Sequence, residues 1–378
     1  MIDTLHSKHM ALAITQAQKG LYTTHPNPRV GCVIVKKNRI IAQGYHHKAG
    51  QPHAEIMALE QASEPTQDAT LYVTLEPCCH HGRTPPCTQA IIKAGIKNLY
   101  IATTDPNPIV QNRGIATLKA AGIKVHTGLL EDQAQQLNPG YWQRHNKGRP
   151  WIRVKLAISM DGRTTSFNRH SRIITSLAAR QDVQHWRALS SAIITGSNSV
   201  ITDNPQLNVR NLDPNMPNTT AQEPARQPDL FIIDNPALTI PQDAQIFNSE
   251  RQVYLVTGPD QQARHKNLPS ELNILTIPYE PGTNYLDLSV LSQTMGKMQI
   301  NEILVEAGMG ISSQYIQPGL TDQLILYQAP KLLGDQEKGV IKPDWQQQGI
   351  KLQINSVTQF DQDMRYIAEI ITNRSLCV

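Results

Sequence analysis

Two successive α/β domains are what this sequence predicts, and three observations predict them. The chain has 378 residues, more than the ~100–200 residues of one average domain. Short apolar runs of strand character alternate along it with segments whose apolar residues recur at helical spacing. Between two such regions lies Asn146-Lys147-Gly148-Arg149-Pro150, polar and containing both Gly and Pro, as domain boundaries do. It divides the chain into domains of residues 1–147 and 148–378.

In the first domain, Met10, Ala13, Ile14 and Ala17 recur on one helical face over residues 6–19, and Gly20 is a helix stop. The prolines of Thr24-His25-Pro26-Asn27-Pro28 put Asn27 on a stiff loop. Val30 to Val35, a polar turn and Ile40 to Gly44 form a hairpin. After Pro52, a helix starts at His53 with Ile56, Leu59 and Ala62 on one face; Ala69 to Leu75 alternates like a strand. Pro86 pre-sets a helix start just before Cys87. Asn98 to Thr103 is a strand, Gly114 to Ala121 a helix and Ile123 to His126 a strand. Asp105-Pro106-Asn107-Pro108 reads as a turn at a strand's C-terminal end, where α/β sheets place ligands.

In the second domain, Trp151, Val154, Leu156 and Ile158 mark a buried first strand closed by Asp161-Gly162. Ala178 to Leu189 is helical, and Ala192 to Thr195, Leu230 to Ile233 and Val253 to Val256 are strands. Asn211 to Pro228, rich in Pro and Asn, is a long surface loop. Leu286 to Met298 is a helix and Glu302 to Val305 a strand; Glu306-Ala307-Gly308-Met309-Gly310 then turns into a helix near Ile311. Backbone N–H groups at such a turn can cradle phosphate. Late apolar strands after Gly334 close the sheet.

Composition removes several classes of function. The net charge of +4 is spread along the chain, without the basic, aromatic-bearing block of a nucleic-acid site. No apolar run approaches the ~20 residues a bilayer needs, and the first residues lack a signal peptide's apolar core. Five cysteines, odd in number and mostly clustered, make no disulfide framework. A reducing cytoplasm fits them.

The chemistry concentrates in His53-Ala54-Glu55 and Glu76-Pro77-Cys78-Cys79-His80-His81-Gly82-Arg83-Thr84-Pro85-Pro86-Cys87. A His, a Glu two residues on, then Pro-Cys and a further Cys are the parts of a zinc deaminase site. Zinc on one His nitrogen and two Cys sulfurs keeps a fourth position for water, whose pKa it lowers from 15.7 to about 7. Glu55 is the proton carrier and not a ligand. The metal set is therefore His53, Cys78 and Cys87, with Cys78 chosen by the Pro-Cys rule. Cys79 reads as a packed thiol, because adjacent side chains diverge. His80 and His81 are rivals for the metal. The usual signature ends in Cys-x-x-Cys; here the step runs from Cys78 to Cys87.

That longer loop closely resembles the deaminase of bacterial riboflavin biosynthesis. The second half resembles the reductase domain of the same family through Lys155–Arg163, Ile174-Thr175-Ser176, Thr202–Arg210, Val305–Gly308 and Ala329–Gly334. The resemblance implies a cytidine-deaminase-like N-terminal domain and a dihydrofolate-reductase-like C-terminal domain. It makes His80 and His81 loop residues near substrate and implies zinc and NADPH as cofactors. Asn27 and His46, with Asp105 and Asn107, would line the pyrimidine site, and His80 and Arg83 could meet the phosphate or ring. Ala157, Ile173, Ser199, Asp203, Asn235 and the turn Gly308, Met309, Gly310, Ile311, Ser312, Ser313, Gln314 would contact NADPH. Lys155, Ser171, Arg187, Leu207, Arg210 and Glu306 would contact substrate, with Lys155, Asp161 and Glu306 near the reduced carbon. Family members commonly carry Trp where this chain has Ile173.

The expected function is two consecutive riboflavin steps. Zinc-dependent deamination of 2,5-diamino-6-ribosylamino-4(3H)-pyrimidinone 5′-phosphate comes first. NADPH then reduces the ribosyl group to ribityl. The expected partner is a phosphorylated pyrimidine, with no nucleic acid and no membrane, in a cytoplasmic homo-oligomer (dimer or tetramer). Two rivals stand beside this reading. A nucleic-acid base deaminase with an RNA-binding second domain requires a basic, aromatic-bearing face. A zinc-stabilised scaffold requires a closed four-ligand site and no Glu55.

Overall fold

The computed structural model describes residues 2–80, 85–164, 173–212, 226–235, 240–261, 272–317, 319–334 and 350–371. The chain falls into two compact units, one ending at Gly148 and the other starting at Arg149. Gly148 ends the last helix of the first unit in a left-handed conformation (φ 70°), which glycine adopts without strain.

The first unit runs α1 (Ile2–Gln18), β1 (Gly31–Lys36), β2 (Arg39–Tyr45), α2 (Ala54–Glu60), β3 (Thr70–Leu75), α3 (Cys87–Lys93), β4 (Asn98–Thr103), α4 (Arg113–Ala120) and β5 (Lys124–Thr127). Two further helices follow, α5 (Glu131–Gln136) and α6 (Pro139–Lys147). The sheet order is β2-β1-β3-β4-β5. β1 is antiparallel to both neighbours, and β3, β4 and β5 are parallel. Alternate residues of the central strands feed two cores. Cys32, Ile34, Leu71 and Val73 pack with Ala54, Ala58 and Ile91 of α2 and α3. Val33, Val35 and Tyr72 pack with Met10, Ala13, Ile14 and Ala17 of α1. A fully buried leucine such as Leu71 contributes roughly 1.5–3 kcal/mol. Gly31 is required where α1 crosses β1, since a Cβ there would stand 2.0 Å from the Ala13 carbonyl oxygen.

The second unit contains β6 (Trp151–Ser159), α7 (Leu177–Leu189), β7 (Ala192–Gly196), α8 (Ser197–Asp203), β8 (Asp229–Ile233), β9 (Val253–Thr257), β10 (Leu272–Thr276), α9 (Leu288–Lys297), β11 (Glu302–Val305), α10 (Met309–Tyr315), β12 (Gln323–Ala329), β13 (Leu352–Phe360) and β14 (Asp363–Ile370). Its nine-stranded sheet has the order β10-β9-β8-β7-β11-β6-β12-β14-β13. The strands are parallel from β10 to β12; β14 and β13 close the edge antiparallel. Two cores again lie on opposite faces. Ile152, Val154, Ile303 and Val305 point to one, and Ile193, Leu304, Ile325 and Tyr327 to the other. Among the described residues no helix is long and apolar enough to cross a membrane.

Candidate active sites

In the first unit the predicted metal ligands meet at two helix starts. His53 is the N-cap of α2, Cys87 is the first residue of α3, and Cys78 lies on the loop after β3. His53 Nδ1 stands 3.5 Å from Cys78 Sγ and 3.3 Å from Cys87 Sγ. The Cys87 N–H donates to Cys78 Sγ at 3.4 Å. Among the described residues, these three form the one group of His, Cys, Asp or Glu able to share a metal. A tetrahedral zinc with Zn–S of about 2.3 Å and Zn–N of about 2.0–2.1 Å holds nitrogen and sulfur about 3.6 Å apart. The donor set and its spacing fit zinc. Cys79 and His80 stand outside this group, and His81 and Arg83 lie outside the described residues.

Glu55, one residue into α2, is 3% exposed. Burial pushes its carboxyl above the usual range; His53 opposes that shift, and Cys78 adds to it. Its carboxyl also shares a hydrogen bond with the Cys87 thiol. A buried carboxyl whose pKa is raised holds a proton more readily than a free one, as a proton carrier must.

Asn27 and His46 are brought together, with Asn27 Nδ2 donating to His46 Nε2 at 3.0 Å. His46 Nδ1 then donates to the Pro52 carbonyl at 3.1 Å, which fixes the tautomer. Burial lowers the His46 pKa and favours this neutral ring, whose edge meets His53 with centroids 5.3 Å apart. Asp105 Oδ1 accepts from the Asn107 N–H at 2.8 Å and the Tyr141 hydroxyl at 3.0 Å. Burial pushes the Asp105 carboxyl up to about 6.

The two helices that sequence periodicity did not announce support this pocket. Asn138, between α5 and α6, exchanges two hydrogen bonds with the Arg29 backbone, at 2.7 and 2.9 Å. Arg29 Nη1 donates to the Leu137 carbonyl at 2.6 Å. The loop bearing Asn27 is thereby pinned to α6, which also supplies Tyr141. Glu-Asp-Gln-Ala-Gln-Gln in α5 has one apolar residue, so no helical stripe was there to read.

In the second unit a cavity of about 780 Å³ opens beside the C-terminal ends of the central parallel strands, a volume in the range of small-molecule sites. Lys155, Ala157, Arg187, Ser199, Asp203, Leu207, Asn235, Glu306, Gly308, Met309, Gly310, Ile311 and Gln314 line it. Arg187 grips Glu306 with two parallel bonds, Nε to Oε1 at 2.6 Å and Nη2 to Oε2 at 2.9 Å. Burial works against the Glu306 charge, but Arg187 outweighs it and holds the carboxyl below its usual range. Burial lowers the Lys155 pKa, opposed by Glu306.

Register explains the juxtaposition. Val305 is level with Ile194 of β7 and Val154 of β6. The next residues, Thr195, Glu306 and Lys155, therefore stand side by side on adjacent strands about 4.8 Å apart. Thr195 was not anticipated. It lines the cavity, is 1% exposed, and its hydroxyl meets no partner among the described residues. Gly308 caps α10 without a side chain, leaving backbone to face a bound group. The cavity's size and its glycine turn fit a dinucleotide's phosphate end.

Several expected contact residues are not among those lining this cavity. Ser312 is fully buried and donates to the Ala307 carbonyl at 3.0 Å; Ser313 is also buried. Neither is among the lining residues, nor is Ile173, which is half exposed. Arg210 is exposed, bonds Asn208 at 2.8 Å, and is outside the lining. Ser171 lies outside the described residues. The Asp161 carboxylate accepts from the Ser159 hydroxyl and from the Leu333 and Gly334 N–H groups, at 2.5–3.2 Å, and is not among the residues lining the cavity. It fastens two loops.

Comparison with known proteins adds family to this geometry. Residues 150–366 match the family model described as RibD C-terminal domain. Residues 3–103 match the cytidine and deoxycytidylate deaminase zinc-binding region. The chain is 45% identical over 334 residues to the riboflavin biosynthesis protein RibD of Escherichia coli K12, covering 88% of this chain and 89% of the relative. It is similar to the solved structure of Acinetobacter baumannii RibD, with 42% identity, a TM-score of 0.87, and coverage of 98% and 100%. A Thermotoga maritima structure titled diaminohydroxyphosphoribosylaminopyrimidine deaminase/5-amino-6-(5-phosphoribosylamino)uracil reductase matches at 30% identity and a TM-score of 0.83, with the same coverage.

Proposed function

The chain belongs to the RibD family of bifunctional riboflavin biosynthesis enzymes, zinc deaminase and NADPH reductase in one polypeptide, and on that premise we propose the following substrate and residue roles. The substrate is 2,5-diamino-6-ribosylamino-4(3H)-pyrimidinone 5′-phosphate, and the product is 5-amino-6-(5-phosphoribitylamino)uracil. The observation that carries the deaminase half is the His53–Cys78–Cys87 group beside a buried Glu55. The reductase match over residues 150–366 disfavours an RNA-binding second domain. The buried Glu55 disfavours a bare zinc scaffold.

His53, Cys78 and Cys87 would hold the zinc, which would make a bound water molecule acidic enough to serve as nucleophile at neutral pH. Glu55 takes a proton from that water, passes it to the ring nitrogen beside C2, and carries a second to the departing amine. Water enters and ammonia leaves. Its raised pKa suits a group that must both accept and donate. Neutral His46, with both ring nitrogens engaged, packs at the pyrimidine site and locks Asn27 in place; Asn27, Asp105 and Asn107 present the fixed polar atoms. The four described cysteines, all unpaired, suit a reducing cytoplasm.

In the second unit bound NADPH would supply the hydride that reduces C1′ of the opened sugar, with the balancing proton drawn from solvent. Gly308, Met309, Gly310, Ile311 and Gln314 of the turn, with Ala157, Ser199, Asp203 and Asn235, would hold the dinucleotide, and the buried Ser312 and Ser313 would support that turn from behind. Lys155, Arg187, Leu207 and Glu306 contact the substrate, joined by Arg210 and Ser171. The Arg187 fork suits planar anionic groups, and its grip on Glu306 keeps one fixed negative charge at the cavity floor.

The test gives zinc-loaded enzyme the diaminopyrimidine ribosyl phosphate and follows ammonia and NADPH together. Ammonia first, then NADPH oxidation that requires it, is the expected result. NADPH oxidation without ammonia would overturn the order of steps. Absence of both would overturn the substrate.

A further inference from the structure

Glu76 immediately follows β3 and stands two residues before Cys78. It is 4% exposed, yet no cationic side chain is recorded against it among the described residues. Its carboxylate is spent on backbone amides instead. Oε2 accepts from the Asp105 N–H at 3.2 Å and the Asn112 N–H at 3.0 Å; Oε1 accepts from the Ile115 N–H at 3.2 Å. Two of these donors belong to the start of α4, where the N-cap Asn112 makes no side-chain cap of its own. The third belongs to the loop of Asp105 and Asn107. The Glu76 N–H donates to the Thr103 carbonyl at 3.0 Å, at the end of β4. α4 also presses on this segment: a Cβ at Gly114 would stand 2.2 Å from the Pro77 carbonyl oxygen.

One side chain thus ties three parts together: the strand end that leads to Cys78, the start of α4, and the loop presenting Asp105. From Cys78 the connection continues, since its carbonyl accepts from the Thr88 N–H at 3.2 Å and its sulfur from the Cys87 N–H. A helix cap alone would need one or two of these bonds, supplied locally. The bond to Asp105 N caps nothing.

We infer that Glu76 is a positioning residue for deamination, fixing the metal-bearing loop and the pyrimidine-contacting loop at one separation. This rests on the proposed roles of Cys78, Asp105 and Asn107. Glu76 touches no reacting atom. It acts through Asp105 on substrate binding and through Cys78 on the nucleophile's place.

The test uses the full-length, zinc-loaded enzyme and the variants Glu76→Gln and Glu76→Ala. Zinc per chain, deaminase kcat and KM, and reductase turnover on deaminated substrate are measured for each. Gln keeps the shape but turns two of its protons toward backbone donors. With zinc content and reductase turnover unchanged, Glu76→Gln should raise the deaminase KM about tenfold, the worth of a hydrogen bond to a charged group, with kcat held within about threefold. Glu76→Ala should raise KM further and lower kcat as well, so that Gln rescues part of the Ala defect. Wild-type kcat and KM in Glu76→Gln would overturn the inference. Activity that falls only in proportion to lost zinc would overturn it too, leaving Glu76 a structural cap. Should the wild type itself release no ammonia, the substrate reading fails instead, which the variants' zinc content and reductase turnover distinguish from failure of the positioning role.

Discussion

Glu55 and Glu306 are two glutamates buried in the two halves of one chain, and their carboxyls are pushed in opposite directions. Glu55 is raised by burial against a partial offset from His53. Glu306 suffers the same penalty, but two hydrogen bonds from Arg187 overcome it and keep the carboxylate charged. The partner, more than the depth, decides what a buried carboxyl can do. A group with a raised pKa trades protons; a group clamped by guanidinium is a fixed charge that orients its surroundings. Hydrolysis needs the first, because protons must reach nitrogen and then ammonia. A cavity for an anionic cofactor and a phosphorylated sugar has use for the second, which holds Arg187 in place.

The largest expected effect breaks the proton-trading half. Glu55→Gln should lower deaminase kcat by at least about 10³-fold, within the reach of general acid–base catalysis, while zinc content and reductase turnover stay at wild-type levels. Ammonia release assayed on metal-analysed protein decides it. Turnover within tenfold of wild type would remove Glu55 from the mechanism. No stability should be lost, since a neutral amide at this depth escapes the burial penalty that the carboxylate bears.

The clamped half should respond the other way. Arg187→Met leaves Glu306 buried with its main partner gone. Breaking a buried pair in this manner costs about 3–5 kcal/mol, read as earlier unfolding of the second unit in urea. Adding Glu306→Gln should recover most of that loss, because the stranded charge is gone; the double-mutant cycle isolates the pair. A single-mutant cost below about 1 kcal/mol would mean that Lys155, the next positive charge, keeps Glu306 ionised unaided.

The same contrast governs what could be read from sequence. The metal group was legible because zinc demands particular residue types at short spacings, and His53, Glu55, Cys78 and Cys87 announce themselves. The alternation of strands and helices gave the layered fold of both units, with the first sheet's order of elements in place. Glu76 was visible but mute, because its partners at 105, 112 and 115 are backbone amides that any residue would offer. The Arg187–Glu306 pair spans 119 residues, and no local pattern joins its members. Asp161 was legible in part: its bond from Ser159 is local, but its backbone partners Leu333 and Gly334 lie 172 and 173 residues away. Nicotinamide chemistry left no signature beyond family resemblance, since a cavity built from glycine turns and strand ends uses common residues.

The smallest effect sharpens the comparison within the first unit. Asp105 is buried like Glu55 and carries a carboxyl raised to about 6, with burial the main cause and Glu76 adding to it; Asn107, Tyr141 and His80 oppose the shift. An acid whose folded pKa lies above its unfolded value of about 3.9 holds its proton longer when folded. Between pH ~4 and ~6 the unfolded chain releases that proton first, so stability falls as pH rises through this window and stays lower above it. Asp105→Asn removes the titration. The variant should match wild type near pH 4 and exceed it above pH 6, by roughly 1–3 kcal/mol for a shift of about two pH units. Thermal unfolding of both proteins from pH 4 to 8 gives the difference directly. A variant less stable than wild type at pH 7 would mean that Tyr141 and the Asn107 amide hold the ionised form more firmly than burial opposes it. Asp105 would then belong with Glu306, as a second fixed charge, and Glu55 alone would remain the group free to trade a proton.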